Sequence, residues 1–278
     1  MSITKAGYIG LGNMGLPIAA NLISGGFDVM VHDIRDEPMR ELARLGAKTA
    51  RSAAEVGRHS ELVELSVVDD AQVEEAILGK EGIARAAAPG TIVAVHSTIH
   101  PRTIKHVSAE AQAFGVIVLD AAVSGGKGGA AAAQLTYMVG GDREAFEKAK
   151  PAFQTSGAHI FYMGDVGAGS ATKLAQQVIV CINRLSGQEG MRLAEAYGLD
   201  VELVQQVVHT TGAQSQVTDN WLKDYKRMAA ADEESAKRMA HLFWKGLCPA
   251  LELGHELGLS MPGTALVQQT FPKVLGFE

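Results

Sequence analysis

The chain has 278 residues, of which 47% are apolar, so it can bury one large core or two smaller ones. Lys and Arg number 25 against 31 Asp and Glu, which gives a net charge of -6 without any long run of like charge. A nucleic-acid or membrane partner is therefore not expected. The two cysteines, Cys181 and Cys248, lie far apart, which excludes a disulfide framework and favours a reducing, cytoplasmic setting. The first residues lack the pattern of a signal peptide, and no window is apolar enough to span a bilayer.

The first half of the chain predicts alternating strands and helices. Strands are expected over five short apolar runs, at residues 6–9, 27–31, 62–68, 91–96 and 116–119. Helical spacing of apolar residues occurs between them, at residues 13–24, 37–45, 71–77 and 102–113. This alternation predicts an α/β domain with a doubly wound, parallel sheet of Rossmann type.

After residue 120 the amino-acid composition shifts to small residues, mostly alanine and glycine. The small-residue stretch 121–134 precedes a strand-like run at 135–139 and is expected to be an ordered loop. Beyond residue 169 the strand signal disappears, and a long helix is predicted over 172–197 within an all-α C-terminal domain. We place the boundary near Gly164, with one domain over 1–163 and the other over 164–278.

A glycine-rich turn follows the first strand and opens the first helix. It consists of Gly10, Leu11, Gly12, Asn13, Met14 and Gly15. In this pattern the first glycine permits a tight bend, the second lets the backbone approach a pyrophosphate, and the third lets helix meet strand. The helix N-terminus offers N–H donors to the anion. A plain glycine-rich turn is the alternative, but the strand-turn-helix context favours a dinucleotide site, which Val67 and Val68 are expected to line.

Asp33 ends the second strand, close to the roughly 20-residue offset at which an acidic side chain meets the ribose 2′-hydroxyl. A carboxylate there repels a 2′-phosphate, so NAD is favoured. Arg35, two residues later, could accommodate a phosphate, so NADP stays possible. A solvated strand end without a ligand is the other interpretation of Asp33.

The chain carries five motifs in a fixed order: GYIGLGNMGLPIAANL near the start, HSTIHP at 96–101, DAAVSGG at 120–126, GDVGAGSATK at 164–173 and FWKG at 243–246. Together they resemble the β-hydroxyacid dehydrogenases, the family that includes 3-hydroxyisobutyrate dehydrogenase and tartronate semialdehyde reductase. The resemblance implies a 6-phosphogluconate dehydrogenase-like fold, with a dinucleotide-binding domain, a helical substrate and oligomerisation domain, and the active site between them. It also implies NAD(P)-dependent hydride transfer with a small β-hydroxy acid or semialdehyde.

The predicted substrate residues follow from two of these motifs. Ser124, Gly125 and Gly126 offer a hydroxyl and successive backbone N–H groups suited to a carboxylate, although a glycine-rich turn without a ligand is the alternative. In the family this motif holds the substrate acid, and Lys127 adds positive charge beside it. Composition alone indicates that Lys173 is a solvated lysine. The resemblance instead implies a general acid/base, which gives a proton to the carbonyl oxygen in reduction and accepts one in oxidation.

Three departures from the family pattern concern the substrate. Gln176 and Gln177 stand where members usually carry an Asn pair, and the extra methylene would push the amides deeper into the substrate site. Either the substrate is then smaller or displaced, or the amide no longer touches it. Gly246 stands where aspartate is common, and Ala122 where proline is common. These departures affect the substrate expected more than the type of reaction.

Two further residues are implied by resemblance. Thr98 is expected at the carboxyl edge of the sheet, near the nicotinamide; its alternative role, shared with Ser97, is to cap the helix after Pro101. Lys245 is expected near cofactor and substrate, with an exposed helix lysine as the alternative. The histidines and cysteines show no ligand spacing, so no metal is expected.

Two rival functions remain open. Imine reductases share the architecture but usually lack a lysine at the position of Lys173. A cofactor-binding sensor or interaction module without catalysis is suggested by the paired Gln residues. In either case the apolar positions of the helical half, including Leu242, Phe243, Leu247 and Leu251, predict a homodimer or homotetramer.

Overall fold

The structure is a computed structural model that describes residues 3–229 and 233–274. The chain divides into two compact units, Met1–Lys173 and Leu174–Glu278. The functional division expected between residues 163 and 164 stays a prediction. In the described ranges no helix combines the length and the apolar character needed to cross a bilayer.

The described part of the N-terminal unit is built on an eight-stranded sheet. Its strands are β1 (Lys5–Ile9), β2 (Asp28–His32), β3 (Lys48–Thr49), β4 (Leu62–Leu65), β5 (Ile92–Val95), β6 (Ile117–Ser124), β7 (Leu135–Gly140) and β8 (Gly157–Gly164). They lie in the order β3-β2-β1-β4-β5-β6-β7-β8, and β6 and β7 run antiparallel while the other pairs run parallel. The predicted Rossmann-type sheet is confirmed.

Helices connect the strands and cover both faces of the sheet. They are α1 (Gly15–Ser24), α2 (Asp36–Arg44), α3 (Ala53–His59), α4 (Asp70–Leu78), α5 (Pro101–Gln112), α6 (Gly126–Ala131) and α7 (Arg143–Phe153). Consecutive strand residues point to opposite faces. Tyr8 and Ile9 of β1 accordingly belong to two separate hydrophobic clusters, one on each face. Burial on both faces is what a parallel sheet of this kind requires.

The expectation of a loop over residues 121–134 is wrong for most of its length. β6 continues to Ser124 because β7 pairs with it, Val123 facing Tyr137 and Ser124 facing Thr136. The alanine-rich remainder forms α6, which the chain enters through Gly125 at a φ of 133°. The pairing with β7 extends this strand beyond residue 119, where its apolar run was expected to end.

The described part of the C-terminal unit is helical, as predicted. Its helices are α8 (Ala168–Tyr197), which begins in the N-terminal unit, followed by α9 (Val201–His209), α10 (Gln216–Asp219), α11 (Trp221–Ala229), α12 (Glu233–Glu256) and α13 (Pro262–Val274). Gly198 follows α8 with a φ of 89°, a conformation that suits a helix end. α13 begins at Pro262, whose fixed φ suits a first helical turn.

Candidate active site

The glycine-rich turn lies between β1 and α1, where the strand order reverses, since β1 sits between β2 and β4. Open α/β sheets bind ligands at such a point. Gly10 has a φ of 86°, and a Cβ on Gly15 would collide with the Gly10 carbonyl oxygen. Beside Gly12, in contrast, no atom lies within 4 Å of the position that a Cβ would take. The turn is therefore tight on the side of the sheet and open at Gly12, as pyrophosphate binding requires.

The N-terminus of α1 has no side-chain cap. Met14 occupies the N-cap position without a side-chain hydrogen bond, and the first turn contains no acidic residue. Four other helices of this unit, α3, α4, α5 and α7, are capped by the side chains of Ser52, Asp69, His100 and Asp142. Because helix N–H groups need an acceptor, an uncapped N-terminus beside a glycine turn suits an anionic ligand.

Asp33 is 8% exposed and lies next to this turn. Its Oδ2 accepts the Leu11 N–H at 2.6 Å, and its Oδ1 accepts the Arg35 N–H at 2.8 Å and the Arg35 Nε–H at 3.0 Å. Burial by itself raises the pKa of Asp33, but the hydrogen bonds from Arg35 and Leu11 outweigh it and lower the pKa below its usual value. Arg35 Nη2 also donates to the Leu11 carbonyl at 3.2 Å. Asp33 is thus held as a carboxylate, with Arg35 folded over it.

The ends of β4 and β5 are joined by one side chain. Ser97 Oγ donates to the Val67 carbonyl at 2.8 Å and accepts the Val67 N–H at 2.9 Å. Val68, the next residue, is 64% exposed, and Thr98 is half-buried beside Ser97. Val67, Val68 and Thr98 therefore lie at the carboxyl ends of neighbouring parallel strands, the edge at which the cofactor is expected.

The alternative capping role of Ser97 and Thr98 is wrong. His100 is the N-cap of α5, and its Nδ1 accepts the Arg102 N–H at 3.1 Å. Ser97 uses its hydroxyl on β4 instead. Histidine is not among the preferred N-cap residues, so the N-cap role of His100 could not be predicted from residue preference.

Glu64 of β4 and His96, the residue after β5, form a buried pair that sequence reasoning did not find. His96 Nδ1 donates to the Ala121 carbonyl at 2.7 Å, and Nε2 lies 3.0 Å from Glu64 Oε2. The exposed fractions of the two side chains are 1% for His96 and 0% for Glu64. The His96 ring also packs edge-on against Tyr137 at a centroid distance of 5.5 Å. His96 thereby joins β5 to β4 and β6, the strands that lead to Val67 and to the Ser124 motif.

Ser124 ends β6 and is half-buried, while the two glycines after it are exposed. Gly125 and Gly126 have φ values of 133° and 64°, both in the region that favours glycine. Lys127 is exposed in the first turn of α6. The glycines are therefore required by the backbone, and the motif is accessible to a small ligand.

Lys173 is half-buried on the second turn of α8 and is the last residue of the N-terminal unit. The start of α8 packs closely on the sheet. A Cβ on Gly169 would collide with the Met138 carbonyl oxygen and would lie 2.6 Å from the Asp120 carbonyl oxygen. The turn that precedes Lys173 thus rests on β6, the strand that ends at Ser124.

Within the C-terminal unit, Gln177 of α8 packs against Gly246 of α12. A Cβ at position 246 would lie 3.2 Å from both Cγ and Nε2 of Gln177, which is tighter than most real contacts. The Gln177 amide also approaches Cys181 Sγ, at 3.8 Å. Lys245 and Gln176 are half-buried. The two departures seen in the sequence are therefore linked, because the absence of a side chain at position 246 makes room for the longer amide at 177.

Comparison with known proteins identifies the class. The family model described as the NAD binding domain of 6-phosphogluconate dehydrogenase matches residues 5–164. The model described as NAD-binding of NADP-dependent 3-hydroxyisobutyrate dehydrogenase matches residues 167–276. Together with the open glycine turn and the uncapped α1, these matches define an NAD(P)-dependent oxidoreductase.

Individual relatives narrow the class to a family. The chain is 34% identical to the NAD-dependent L-serine dehydrogenase of Pseudomonas aeruginosa, over 96% of this chain and 91% of that protein. It is also 34% identical to the 2-hydroxy-3-oxopropionate reductase of Escherichia coli K12, over 96% of this chain and 90% of that protein. The chain belongs to the β-hydroxyacid dehydrogenase family. The predicted family, cofactor class and type of reaction, hydride transfer with a small hydroxy acid, are confirmed.

Solved structures agree with this assignment. The structure of Mycobacterium tuberculosis 3-hydroxyisobutyrate dehydrogenase with L-serine superimposes with a TM-score of 0.85 at 27% identity, over 99% of this chain and 94% of that one. A Streptomyces aurantiacus imine reductase superimposes with a TM-score of 0.69 at 20% identity, over 97% of this chain and 93% of that one. The second likeness concerns the fold alone.

Proposed function

We propose that the chain interconverts a small 3-hydroxy acid and its semialdehyde, with Lys173 as the general acid/base. The observation that carries this proposal is the position of Lys173, half-buried one turn after the part of α8 that rests on β6, the strand ending at the Ser124 motif. A lysine in a partly closed environment loses its proton more readily than one in water. This amine can therefore exchange a proton with a hydroxyl held nearby.

Each predicted site residue has its own role in the proposed reaction. A bound nicotinamide supplies or accepts the hydride. The Ser124 hydroxyl and the N–H groups of Gly125 and Gly126 hold the substrate carboxylate, and Lys127 adds a positive charge. In oxidation the Lys173 amine accepts the hydroxyl proton as the carbon loses its hydride. In reduction the ammonium returns a proton to the carbonyl oxygen.

The cofactor preference is for NAD, with NADP as the weaker alternative. Asp33 carries a negative charge at the expected ribose site, and a 2′-phosphate would meet it directly. Arg35 is already bonded to both Asp33 oxygens, at 3.0 Å and 3.3 Å, so it would have to leave this carboxylate to bind a phosphate. The ratio of kcat/KM for NADH to that for NADPH measures this preference, and a ratio below one would contradict it.

The substrate is a compact hydroxy acid in which the reacting carbon is β to the carboxylate. The names of the relatives, serine dehydrogenase, 3-hydroxyisobutyrate dehydrogenase and 2-hydroxy-3-oxopropionate reductase, share this pattern. Gln177 and Lys245 stay predicted substrate residues, and Lys245 and Thr98 stay predicted cofactor residues. Because Gly246 leaves room for Gln177, we assign the choice among these acids to that pair.

The test is a substrate panel followed by NADH absorbance, with 3-hydroxyisobutyrate, L-serine and 2-hydroxy-3-oxopropionate as the acids and a cyclic imine as the control. Turnover of at least one acid, without turnover of the imine, is expected. NADH binding without turnover of any acid would favour a sensor module. Turnover of the imine alone would favour an imine reductase.

We also propose a homo-oligomer that is formed through the helical half. Leu247 does not support this, because it is fully buried within one chain, and the side chains of Leu242 and Phe243 lie outside the described part of the structure. Large side chains near the end of α8 and on α9 do: Leu193, Tyr197, Leu203 and Val207 are 73%, 81%, 58% and 56% exposed. A monomeric mass by light scattering at micromolar concentration would contradict the proposal. The cytoplasmic setting stays a prediction.

A further inference from the structure

One buried carboxylate of the N-terminal unit is absent from the predicted ligand sets. Asp120 lies on β6, on the same strand as Ser124, and is 1% exposed. Its Oδ1 accepts the Gly167 N–H at 2.9 Å, and its Oδ2 accepts the Ser170 N–H at 2.7 Å. These N–H groups belong to the start of α8, where no earlier helical carbonyl is available to them. Asp120 therefore caps α8 from a strand that lies far from it in sequence.

Two glycines make this close approach possible. A Cβ on Gly169 would lie 3.0 Å from Asp120 Oδ2, and a Cβ on Gly140 would lie 2.6 Å from Asp120 Oδ1. The same Cβ on Gly140 would lie 3.0 Å from the Gly169 N–H nitrogen. A side chain at either position would push the first turn of α8 away from β6. The contact between Asp120 and α8 therefore requires glycine both at position 140 of β7 and at position 169 of α8.

The capped turn leads directly to the proposed acid/base. Lys173 follows Ser170 by three residues, and residues three apart on a helix are neighbours on its surface. Ser124, which we expect to hold the substrate carboxylate, follows Asp120 on the same strand. The Asp120 side chain therefore links α8, which carries Lys173, to β6, which ends at Ser124.

We propose that Asp120 is a positioning residue for Lys173. Its carboxylate holds the first turn of α8 against β6 and so fixes the amine of Lys173 relative to Ser124. The inference rests on the proposed function, because without a catalytic role for Lys173 there is nothing to position. A purely structural cap would affect stability and would leave turnover by the folded enzyme unchanged.

The test is Asp120→Asn, which keeps the size of the side chain but offers an acceptor to one of the two N–H groups and a donor to the other. Burial raises the pKa of Asp120 against the opposing hydrogen bonds, so replacing the charge with a neutral amide is compatible with folding. Misplacement by about 1 Å costs about 100-fold in rate, so we expect kcat to fall roughly 10- to 100-fold. KM for the acid and Kd for NADH should stay within about twofold.

The matched control is Asp142→Asn. Asp142 caps α7 in the same unit, its Oδ1 accepting the Ala145 N–H at 2.7 Å, but it adjoins none of the proposed site residues. Wild-type kcat is expected in this variant. Hydrogen exchange should show faster exchange of the first turn of α8 in Asp120→Asn alone.

The outcomes separate the inference from the function on which it rests. If Lys173→Ala retains wild-type kcat, the proposed function fails and the inference fails with it. If Lys173→Ala is inactive while folded Asp120→Asn has wild-type kcat, the inference alone is overturned. If Asp120→Asn does not fold, Ser170→Ala decides, since it removes only the hydroxyl that also bonds this carboxylate. A reduced kcat with unchanged NADH binding then supports the inference, and an unchanged kcat overturns it.

Discussion

Removal of Glu64 is expected to destabilise the N-terminal unit by about 2 kcal/mol. In Glu64→Leu, His96 Nε2 loses its partner at 3.0 Å, and the His96 side chain is 1% exposed, so water cannot replace it. Rotation of the ring would break the second hydrogen bond, from Nδ1 to the Ala121 carbonyl. Leaving a buried polar group without its partner costs about 1–3 kcal/mol, and the added apolar side chain returns part of this. We therefore expect a loss of about 2 kcal/mol.

Glu64→Gln supplies the matched variant. The amide keeps the shape of the side chain and can still form a hydrogen bond with His96 Nε2, so a smaller cost of about 1 kcal/mol is expected. The double variant Glu64→Leu/His96→Phe should recover much of the loss, because well-packed apolar groups often replace a buried pair without cost. Phe suits position 96, which lies 6.1 Å from the Phe153 ring centroid. An exposed pair gives the control: Glu147→Gln, opposite Arg143 at 3.2 Å, should cost about 0.5 kcal/mol or less.

The assay is native-state hydrogen exchange of β4, β5 and β6, which gives the opening free energy of this unit. Tryptophan fluorescence is unsuitable, because Trp221 and Trp244 both lie in the other unit. The expected order of stability is wild type, Glu64→Gln, Glu64→Leu. A Glu64→Leu protein as stable as Glu64→Gln would refute the reasoning, since the hydrogen bond to His96 that Gln keeps and Leu removes would then contribute nothing.

Three further predictions concern the candidate site. Gly12→Ala should fold normally and bind NADH more weakly, as measured by titration. Gly15→Ala should lower the midpoint of thermal unfolding, because a Cβ at position 15 meets the backbone and one at position 12 does not. Equal stabilities of the two variants would contradict this. Asp33→Asn should lower the NADH preference in kcat/KM roughly tenfold, which corresponds to about 1.4 kcal/mol, and an unchanged ratio would exclude Asp33 from the choice of cofactor. Gly246→Ala should change KM for the acid by displacing Gln177 and leave Kd for NADH unchanged; an unaltered KM would remove this pair from substrate selection.

The cofactor half of the site was predictable because its signals are local. The glycine turn, the helix after it and Asp33 at the end of β2 follow from spacing along one short stretch of chain. Helix α7 was missed because Pro151 interrupts its pattern, although the proline lies within the helix. Helix α3 was missed because it is short.

The buried polar groups were not predictable from the sequence. The partner of Glu64 is 32 residues away, and the N–H groups on Asp120 lie 47 and 50 residues away. Nothing in the neighbouring sequence distinguishes these carboxylates from exposed ones. Only the sheet order, which brings β4, β5 and β6 together, places them in the core.

The most direct test of the account is the turnover of Lys173→Ala with the best acid of the panel. General acid/base catalysis contributes about 100- to 10,000-fold, so kcat should fall by at least about 100-fold while Kd for NADH stays within twofold. Lys148→Ala, which removes an exposed lysine of α7 paired with Glu144, should keep wild-type kcat. Lys173→Ala with kcat within threefold of wild type would contradict the central claim.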